Sequence, residues 1–267
     1  MGLIALLTDF GTRDEYVGVM KGVIAGISPD IRVVDVTHAI DPQDIVHGAY
    51  ILAAAVPFFP PGTVHVAVVD PGVGGGRRIL AVESGGCRFL APDNGILERA
   101  LAGRTIRTMV SVENRRFFIS PVSHTFHGRD IFAPVAAHMA KGTELRRLGP
   151  AVDPAQIVTG VLPGCHSPEA GCLEGVVIAV DRFGNLMTNI ARDAIERLHG
   201  DRDAGRLTVE LAGRPIGGLV DAYQQVPHHA PLAIVGSRDL LEISVNGGNA
   251  RQLLGAGKNE PVTVRLA

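Results

Sequence analysis

The stretch VHVAVVDPGVGGGRRILAVES, residues 64–84, places a glycine-rich loop between two apolar runs. Residues 64–69 predict a strand that ends at Asp70, and residues 79–82 predict a second strand directly after the loop. We exclude a phosphate-binding loop, because the glycines match neither common pattern and the following segment alternates as a strand. A loop with so few side chains lets Arg77 fold back on Asp70. A tight hairpin with a surface ion pair explains the same residues.

The first 140 residues alternate strand-like and helix-like segments around this loop. This alternation indicates an α/β fold, with helices packed on a central, mostly parallel sheet. Further strands are predicted at residues 3–7 and 31–36, and helices at residues 15–27, 44–56 and 130–140. Gly18, Gly22 and Gly26 share one face of the first of these helices, where we expect close packing.

The composition changes to glycine and proline over residues 141–171, which is typical of a connection between domains. We place the boundary near Pro150, which gives an N-terminal domain, residues 1–150, and a C-terminal domain, residues 151–267. Beyond it, short strands are predicted at residues 176–180, 186–190, 207–211, 232–235 and 243–245. With one convincing helix, residues 193–198, this pattern predicts a smaller, β-barrel-like domain.

Charge and composition exclude several classes of partner. With 25 basic and 27 acidic residues, the chain offers no basic field for nucleic acid or for an anionic membrane surface. Its longest apolar stretch, residues 49–59, is about half of the roughly 20 residues that a membrane-spanning helix needs. We therefore expect neither a nucleic-acid partner nor a membrane partner.

The first residues and the cysteines bear on the compartment. The opening MGLIALLTDFG lacks a basic lead and runs directly into Asp9, so we expect no export signal. Cys87, Cys165 and Cys172 are an odd number at unrelated spacings, which predicts neither a disulfide framework nor a four-thiolate zinc site. These features fit a reducing cytoplasm.

Two polar segments of the first half are candidates for chemistry. Asp9 follows the first strand, where a carboxylate can accept both hydroxyl protons of a ribose diol, although a cap or turn residue explains it equally well. The segment HTFHGRD, residues 124–130, supplies His124 and His127 just before a helix, without an acidic third metal ligand at a recognisable spacing. His127 becomes important if Asp70 and Arg77 are its neighbours.

Two segments of the second half carry groups that can contact an amino acid. DRFGNLMTNI, residues 181–190, supplies Asp181, Phe183 and Asn185, and a turn bonded to its own backbone explains it at least as well. VGSRDLLEISVNGGNA, residues 235–250, similarly has an ordinary charged hairpin as its alternative. Its candidate side chains are Ser237, Arg238, Glu242 and Asn246.

These segments, together with TDFGTRDEYVGVMKG and APDNG, closely resemble the S-adenosylmethionine hydroxide adenosyltransferases in the same order and nearly end to end. This family is related to the adenosyl-fluoride and adenosyl-chloride synthases. The resemblance implies an N-terminal α/β domain, a C-terminal β-barrel-like domain and a homotrimer. It also implies active sites between one subunit's N-terminal domain and the C-terminal domain of its neighbour.

The implied reaction is hydrolysis of S-adenosylmethionine to adenosine and L-methionine by hydroxide attack at the ribose C5′, with no cofactor and no metal. The sulfonium leaves as a neutral thioether, so no general acid is needed. A cationic Arg77 beside His127 would favour hydroxide, and Asp70 would orient the cluster. Either His127 or Asp70 can take the proton of water, and we favour His127.

The resemblance also implies roles for individual residues. Asp70, Arg77 and His127 match the set associated with hydroxide use, and Asp9 matches the ribose-binding acid. Phe126 and Gly128 are expected in the substrate site, and Gly128 replaces the serine that touches halide in the fluoride-using relatives. The residues expected to hold the methionine portion or adenine are Asp181, Phe183, Asn185, Tyr223, Ser237, Arg238, Glu242, Asn246 and Gly247.

Three other functions remain as alternatives. An adenosyl-halide synthase would use the same fold and substrate. A non-catalytic sensor of adenosine or S-adenosylmethionine would need Asp9 but not the Asp70, Arg77 and His127 set. A metal-dependent hydrolase would be built on His38, His65, His124, His127 and Asp70.

Overall fold

The computed structural model describes residues 2–200 and 207–266. The chain divides into two compact units, Met1–Leu162, here called unit 1, and Pro163–Ala267, called unit 2. The division lies later than the boundary expected near Pro150, because the following residues remain attached to unit 1. Ala151 forms a β-bridge with Val110, and the backbone N–H of Val158 donates to the Asp93 carboxylate at 2.9 Å.

Unit 1 contains a six-stranded sheet with the strand order β2-β1-β3-β5-β4-β6. The strands are β1 (Leu3–Thr8), β2 (Arg32–Thr37), β3 (Val64–Val68), β4 (Ile79–Ser84), β5 (Cys87–Pro92) and β6 (Ile106–Ser111). Strand β1 pairs in parallel with β2 and β3, and β3 pairs in parallel with β5. Strand β4 pairs antiparallel with both β5 and β6. The predicted α/β class with a mostly parallel sheet is confirmed.

Helices cover both faces of this sheet. They are α1 (Tyr16–Ile27), α2 (Ile45–Ala55), α3 (Glu98–Leu101) and α4 (Ala133–Ala140). Alternate residues of β3 explain the two layers, since Val66 belongs to the core with α1 and α4, whereas Ala67 belongs to the core with α2 and α3. A short π-helical turn, Gly128–Phe132, leads directly into α4.

The glycine face of α1, which could allow close packing, meets no other part of the described chain. Helix α1 buries Val17, Met20 and Ile24, which recur at the spacing of one helix face. A Cβ atom built on Gly18, Gly22 or Gly26 would meet nothing within 4 Å in the chain. The apolar residues, rather than the small ones, therefore set how α1 packs on the sheet.

Unit 2 is built on an eight-stranded, barrel-like sheet with the order β10-β9-β14-β7-β8-β13-β12-β11. Its strands are β7 (Cys172–Val180), β8 (Leu186–Ala191), β9 (Leu207–Leu211), β10 (Arg214–Gly217), β11 (Leu219–Val220), β12 (Pro231–Val235), β13 (Leu240–Val245) and β14 (Pro261–Leu266). The predicted helix is α5 (Arg192–His199). A second helix, α6 (Ala250–Leu254), was not expected, and the Asn249 side chain caps it by accepting from the Gln252 backbone N–H.

Across the residues that the structure describes, no helix is long and apolar enough to cross a membrane. The feature of the fold that matters most for chemistry is the neighbouring, parallel position of β1 and β3. Their register pairs Thr8 with Val68, so the residues that follow each strand emerge at the same edge of the sheet. Asp9 and Asp70 are two of those residues.

Candidate active site

Asp9 stands just beyond β1 and is fixed by the backbone around it. The backbone N–H of Gln43 donates to Asp9 Oδ2 at 2.8 Å. Gln43 adopts a left-handed conformation, with φ of 67°, which is uncommon outside glycine. Burial raises the pKa of Asp9, and the charge of Asp70 raises it further against the effect of this hydrogen bond. Asp9 and Asp70 thus place two carboxylates at the same edge of the sheet.

A buried network supports the turn that carries Asp9. Thr8 Oγ1 and His38 Nδ1 lie 2.8 Å apart, and both side chains are buried. Thr8 Oγ1 also accepts from the Phe10 backbone N–H at 3.2 Å, and the Gly11 N–H donates to the His38 carbonyl oxygen at 2.8 Å. These bonds hold the chain on both sides of Asp9.

The glycine-rich loop brings Arg77 onto Asp70. Arg77 Nε lies 2.9 Å from each carboxylate oxygen of Asp70, and Nη2 also donates to Oδ2. The side chains are only 12% and 4% exposed, respectively. A surface ion pair, the alternative considered from the sequence, does not describe this buried contact. The loop leads into β4, as predicted, and not into a helix.

His127 completes a chain of three side chains. Arg77 Nη2 lies 2.9 Å from His127 Nδ1. A guanidinium can only donate, so Nδ1 accepts, and the proton of the neutral imidazole lies on Nε2. Burial lowers the pKa of His127, and the charge of Arg77 lowers it further, while Asp70 and Asp130 oppose this effect. The neutral imidazole is thus the favoured form.

Close backbone contact explains why glycine is required in this loop. Gly74 has φ of 77° and lies against the 120–126 segment, which precedes His127. A Cβ atom built on Gly74 would overlap the carbonyl oxygen of His124. The glycine therefore lets the loop that carries Arg77 approach the segment that carries His127.

Phe126 and Gly128 flank His127 in sequence and contact the end of β1 and helix α1. The Phe126 ring lies 6.1 Å from the Phe10 ring, centroid to centroid, and 5.0 Å from the Tyr16 ring. A Cβ atom on Gly128 would lie 3.0 Å from both phenylalanine rings and 3.1 Å from Met20 Sδ. A serine at this position would require those side chains to move.

A cavity of about 580 Å³ lies beside His127. The side chains of Arg115, Phe118, Val122 and Ile131 contribute to its lining. One edge of the imidazole is therefore accessible, whereas Nδ1 is engaged with Arg77.

In unit 2, the segment after β7 forms a tight turn fixed by Asp181. Asp181 Oδ1 accepts from the backbone N–H groups of Phe183 and Asn185, both at 2.9 Å, and Oδ2 accepts from Asn185 Nδ2. This is the self-bonded turn that was the alternative interpretation. It leaves the Phe183 side chain 75% exposed.

Arg238 and Glu242 lie near the start of β8. Arg238 Nη1 is 3.1 Å from Met187 Sδ. Burial raises the pKa of Glu242, while the charge of Arg238 lowers it. Ser237, beside Arg238, is exposed.

The remaining predicted residues of unit 2 stand in separate turns. Tyr223 is 39% exposed in the 3-10 turn Tyr223–Gln225. Asn246 is tied to the backbone, since its Nδ2 donates to the Val226 carbonyl at 2.9 Å. Gly247 has φ of 66°, and a Cβ atom there would overlap the His228 ring.

A metal site has no support from the side chains that the structure describes. Within residues 2–200 and 207–266, no group of three or more His, Cys, Asp or Glu is placed to hold a metal ion. His65 lies in the core between the rings of Phe59 and Phe89, and burial, with the charge of Arg104, lowers its pKa to about 4. His38 is engaged with Thr8. The proposed set of histidines therefore does not converge.

One residue at this site was missed by the sequence interpretation. Gln43 contributes its backbone N–H to Asp9, so its side-chain type carries no signal. Only its left-handed backbone distinguishes it, and that conformation is common for glycine and asparagine but not for glutamine.

Family models and known proteins match almost the whole chain. Residues 4–149 match the model described as the SAM hydroxide adenosyltransferase N-terminal domain, and residues 175–263 match the corresponding C-terminal domain. The chain is 40% identical over 262 residues to the (R)-S-adenosyl-L-methionine hydrolase of Salinispora tropica, covering 98% of this chain and 97% of the relative.

Two further relatives extend the comparison. A crystal structure of an uncharacterized conserved protein from Thermotoga maritima superposes with a TM-score of 0.89 at 34% identity, covering 98% of this chain and 99% of the other. A fluorinase of Actinoplanes sp. is 31% identical over 219 residues, covering 73% of this chain and 74% of the relative.

Proposed function

Because the chain belongs to the SAM hydroxide adenosyltransferase family, we propose that it is a hydrolase that converts S-adenosylmethionine to adenosine and L-methionine. The observation that carries this proposal is the buried chain of hydrogen bonds from Asp70 through Arg77 to His127. The name of the Salinispora relative specifies the R configuration, and we extend that substrate, the R epimer at sulfur, to this protein.

The proposed reaction is displacement at the ribose C5′ by an oxygen derived from water. The bond from C5′ to the sulfonium sulfur breaks, and its electron pair stays on sulfur, which leaves as the neutral thioether of methionine. The new bond joins C5′ to oxygen and gives the 5′-hydroxyl of adenosine. The enzyme therefore needs to stabilise and place hydroxide, and it needs no acid for the leaving group.

Arg77 has the charge and the free donors for that task. Its Nε and Nη2 are engaged with Asp70 and His127, while Nη1 makes no hydrogen bond to any described residue. We assign Nη1 to the nucleophilic oxygen, with the Nε2–H of His127 as a second donor. A guanidinium in a site with little water stabilises a developing anion far more than it would in bulk solvent.

This geometry changes the role expected of His127. The sequence interpretation favoured the imidazole as the base, but its Nδ1 lone pair accepts from Arg77 and its Nε2 carries the proton. Both Asp70 oxygens likewise accept from Arg77. The proposal is therefore that the proton of water passes to solvent, and that His127 orients the hydroxide.

Asp9 is proposed to bind the ribose diol, as the strand-end position and the family resemblance suggest. Its Oδ2 accepts one backbone N–H, which leaves acceptor capacity for sugar hydroxyls. The side chains of unit 2 are proposed to hold the methionine portion or adenine. Phe183, Tyr223, Ser237, Arg238, Glu242, Asn246 and Gly247 would make those contacts, and Asp181 and Asn185 would fix the turn that presents Phe183.

Hydrolysis is favoured over halide transfer by the surroundings of Gly128. Two aromatic rings and a methionine sulfur approach the space that a Cβ would occupy. The serine expected in fluoride-using relatives would have to displace them. The match to the hydrolase covers 98% of this chain, whereas the match to the fluorinase covers 73%. This difference also favours hydrolysis.

Replacing Arg77 with alanine tests the proposed function directly. We expect Arg77→Ala to lower the rate of adenosine release per folded molecule by about 100- to 1000-fold, because a preorganised charge is lost where the anion forms. Substrate binding should change much less. The measurement is adenosine release from S-adenosylmethionine, with melting temperature recorded for each variant.

Arg107→Ala provides the matched control for Arg77. Arg107 pairs with Glu83 at 3.1 Å, and its side chain is 80% exposed, so its loss should leave turnover unchanged. If Arg77→Ala and Arg107→Ala turn over equally, the hydroxide mechanism is wrong.

The role of Asp9 can be separated from general folding by the choice of ligand. Asp9→Ala should weaken adenosine binding in calorimetry but leave the affinity for 2′,3′-dideoxyadenosine unchanged, since that ligand has no diol to lose. An equal loss for both nucleosides, or no loss for either, would reject the ribose contact.

We further propose that the protein is a cytoplasmic homotrimer whose partners are the substrate and its products, with no nucleic acid and no membrane. The free state of Cys87, Cys165 and Cys172 fits a reducing compartment, and the exposed Phe183 offers an apolar contact. Sedimentation equilibrium should give three times the chain mass of 28.1 kDa. A fully active species with the mass of one chain would refute the trimer.

A further inference from the structure

Asp130 is a buried carboxylate close to His127 that the proposed mechanism does not use. Its side chain is fully buried. It lies in the π-helical turn Gly128–Phe132, which begins directly after His127. Such a turn inserts an extra residue into a helix and frequently marks a functional site.

The carboxylate of Asp130 accepts three hydrogen bonds. It accepts from the Ser123 backbone N–H at 2.8 Å, from Arg129 Nε at 2.6 Å and from Arg129 Nη2 at 3.0 Å. Arg129 is 39% exposed and compensates the buried charge from the solvent side. The hydrogen bond from Ser123 ties the Asp130 carboxylate to the 120–126 segment, which precedes it in the sequence.

The backbone of Asp130 fastens the beginning of the same region. The Ile119 N–H donates to the Asp130 carbonyl oxygen at 2.9 Å. Asp130 therefore holds the chain at two points, Ile119 and Ser123. The next carbonyl, that of His124, is the one against which Gly74 packs.

These contacts connect Asp130 to the loop that carries Arg77. The 120–126 segment is held by Asp130 on one side and meets the glycine-rich loop on the other. The segment therefore lies between Asp130 and the loop that presents Arg77 to His127. The separation between Arg77 Nη2 and His127 Nδ1 is 2.9 Å.

We propose that Asp130 is a positioning residue, which holds the 120–126 segment so that Arg77 and His127 remain in hydrogen-bond contact. The proposal rests on the function proposed for that pair. The charged and titratable groups that face His127 are Arg77 and Asp70 from the glycine-rich loop, His124 from the segment and Asp130 itself. The negative charge of Asp130 raises the pKa of His127, against the larger effects of burial and Arg77.

The test is Asp130→Asn, which keeps the shape of the side chain but removes its charge and one acceptor. We expect kcat to fall about 100-fold with KM little changed, because small misplacements of catalytic groups have effects of this size. We also expect the Nδ1 signal of the His127 imidazole, followed by ¹⁵N NMR, to shift, because Nδ1 loses its hydrogen bond from Arg77. A purely structural role would lower the melting temperature without either change.

Glu98→Gln is the matched control for this substitution. Glu98 also fastens a segment of unit 1 through backbone donors, accepting from the N–H groups of Gly160 at 3.1 Å and Val161 at 3.2 Å. It is not among the groups that face His127. Its substitution should leave kcat and the Nδ1 signal of His127 at parental values.

A second pair of variants tests the 120–126 segment where it meets the glycine-rich loop. Gly74→Ala should lower kcat per folded molecule, whereas Gly76→Ala, where a Cβ meets nothing within 4 Å, should not. Parental kcat and an unchanged Nδ1 signal of His127 in Asp130→Asn would overturn the proposal. If Asp130→Asn does not fold, parental kcat in Gly74→Ala would overturn it. If neither folds, the role is structural and the proposal is rejected.

These outcomes are separate from failure of the proposed function. Parental turnover in Arg77→Ala would reject the hydroxide mechanism. In that case, loss of the Arg77 to His127 contact in Asp130→Asn would still be detected, because the Nδ1 signal of His127 does not depend on activity.

Discussion

The site depends on one interaction, the burial of the Arg77 guanidinium between the Asp70 carboxylate and the neutral ring of His127. A charge removed from water is costly unless it is paired and its donors are satisfied. Here the carboxylate supplies the opposite charge, and the imidazole takes a further donor without adding charge. The surrounding fold is arranged so that these groups can meet.

Each neighbouring element serves this contact. Parallel pairing of β1 with β3 brings Asp9 and Asp70 to the same sheet edge, and the glycine-rich loop lets Arg77 turn back. Two nearby carboxylates also suit the proposed substrate, since its sulfonium is a cation and its products carry no charge at the reacting centre. The raised pKa of Asp9, caused mainly by burial and partly by Asp70, is consistent with this concentration of negative charge.

Local patterns in the sequence predicted most of the fold but not how deeply the Asp70 and Arg77 pair is buried. Short apolar runs identified β1, β3 and β4, and glycines between Asp70 and Arg77 suggested that the two could meet. Whether that pair would be buried depends on contacts from residues about 50 positions away, which local patterns do not contain. The five-residue helix α6 was missed because it is too short to show periodicity. The spacing of the glycines on α1 could not show that nothing in the same chain lies opposite them.

The central claim is that water, held by Arg77 and His127, attacks the ribose C5′. Incubation with each sulfonium epimer of S-adenosylmethionine in H₂¹⁸O containing chloride and fluoride, followed by mass spectrometry, tests it most directly. The account predicts adenosine from the R epimer with one ¹⁸O at the 5′ position, and unlabelled methionine. Unlabelled adenosine, label in methionine or a 5′-halogenated nucleoside would contradict it.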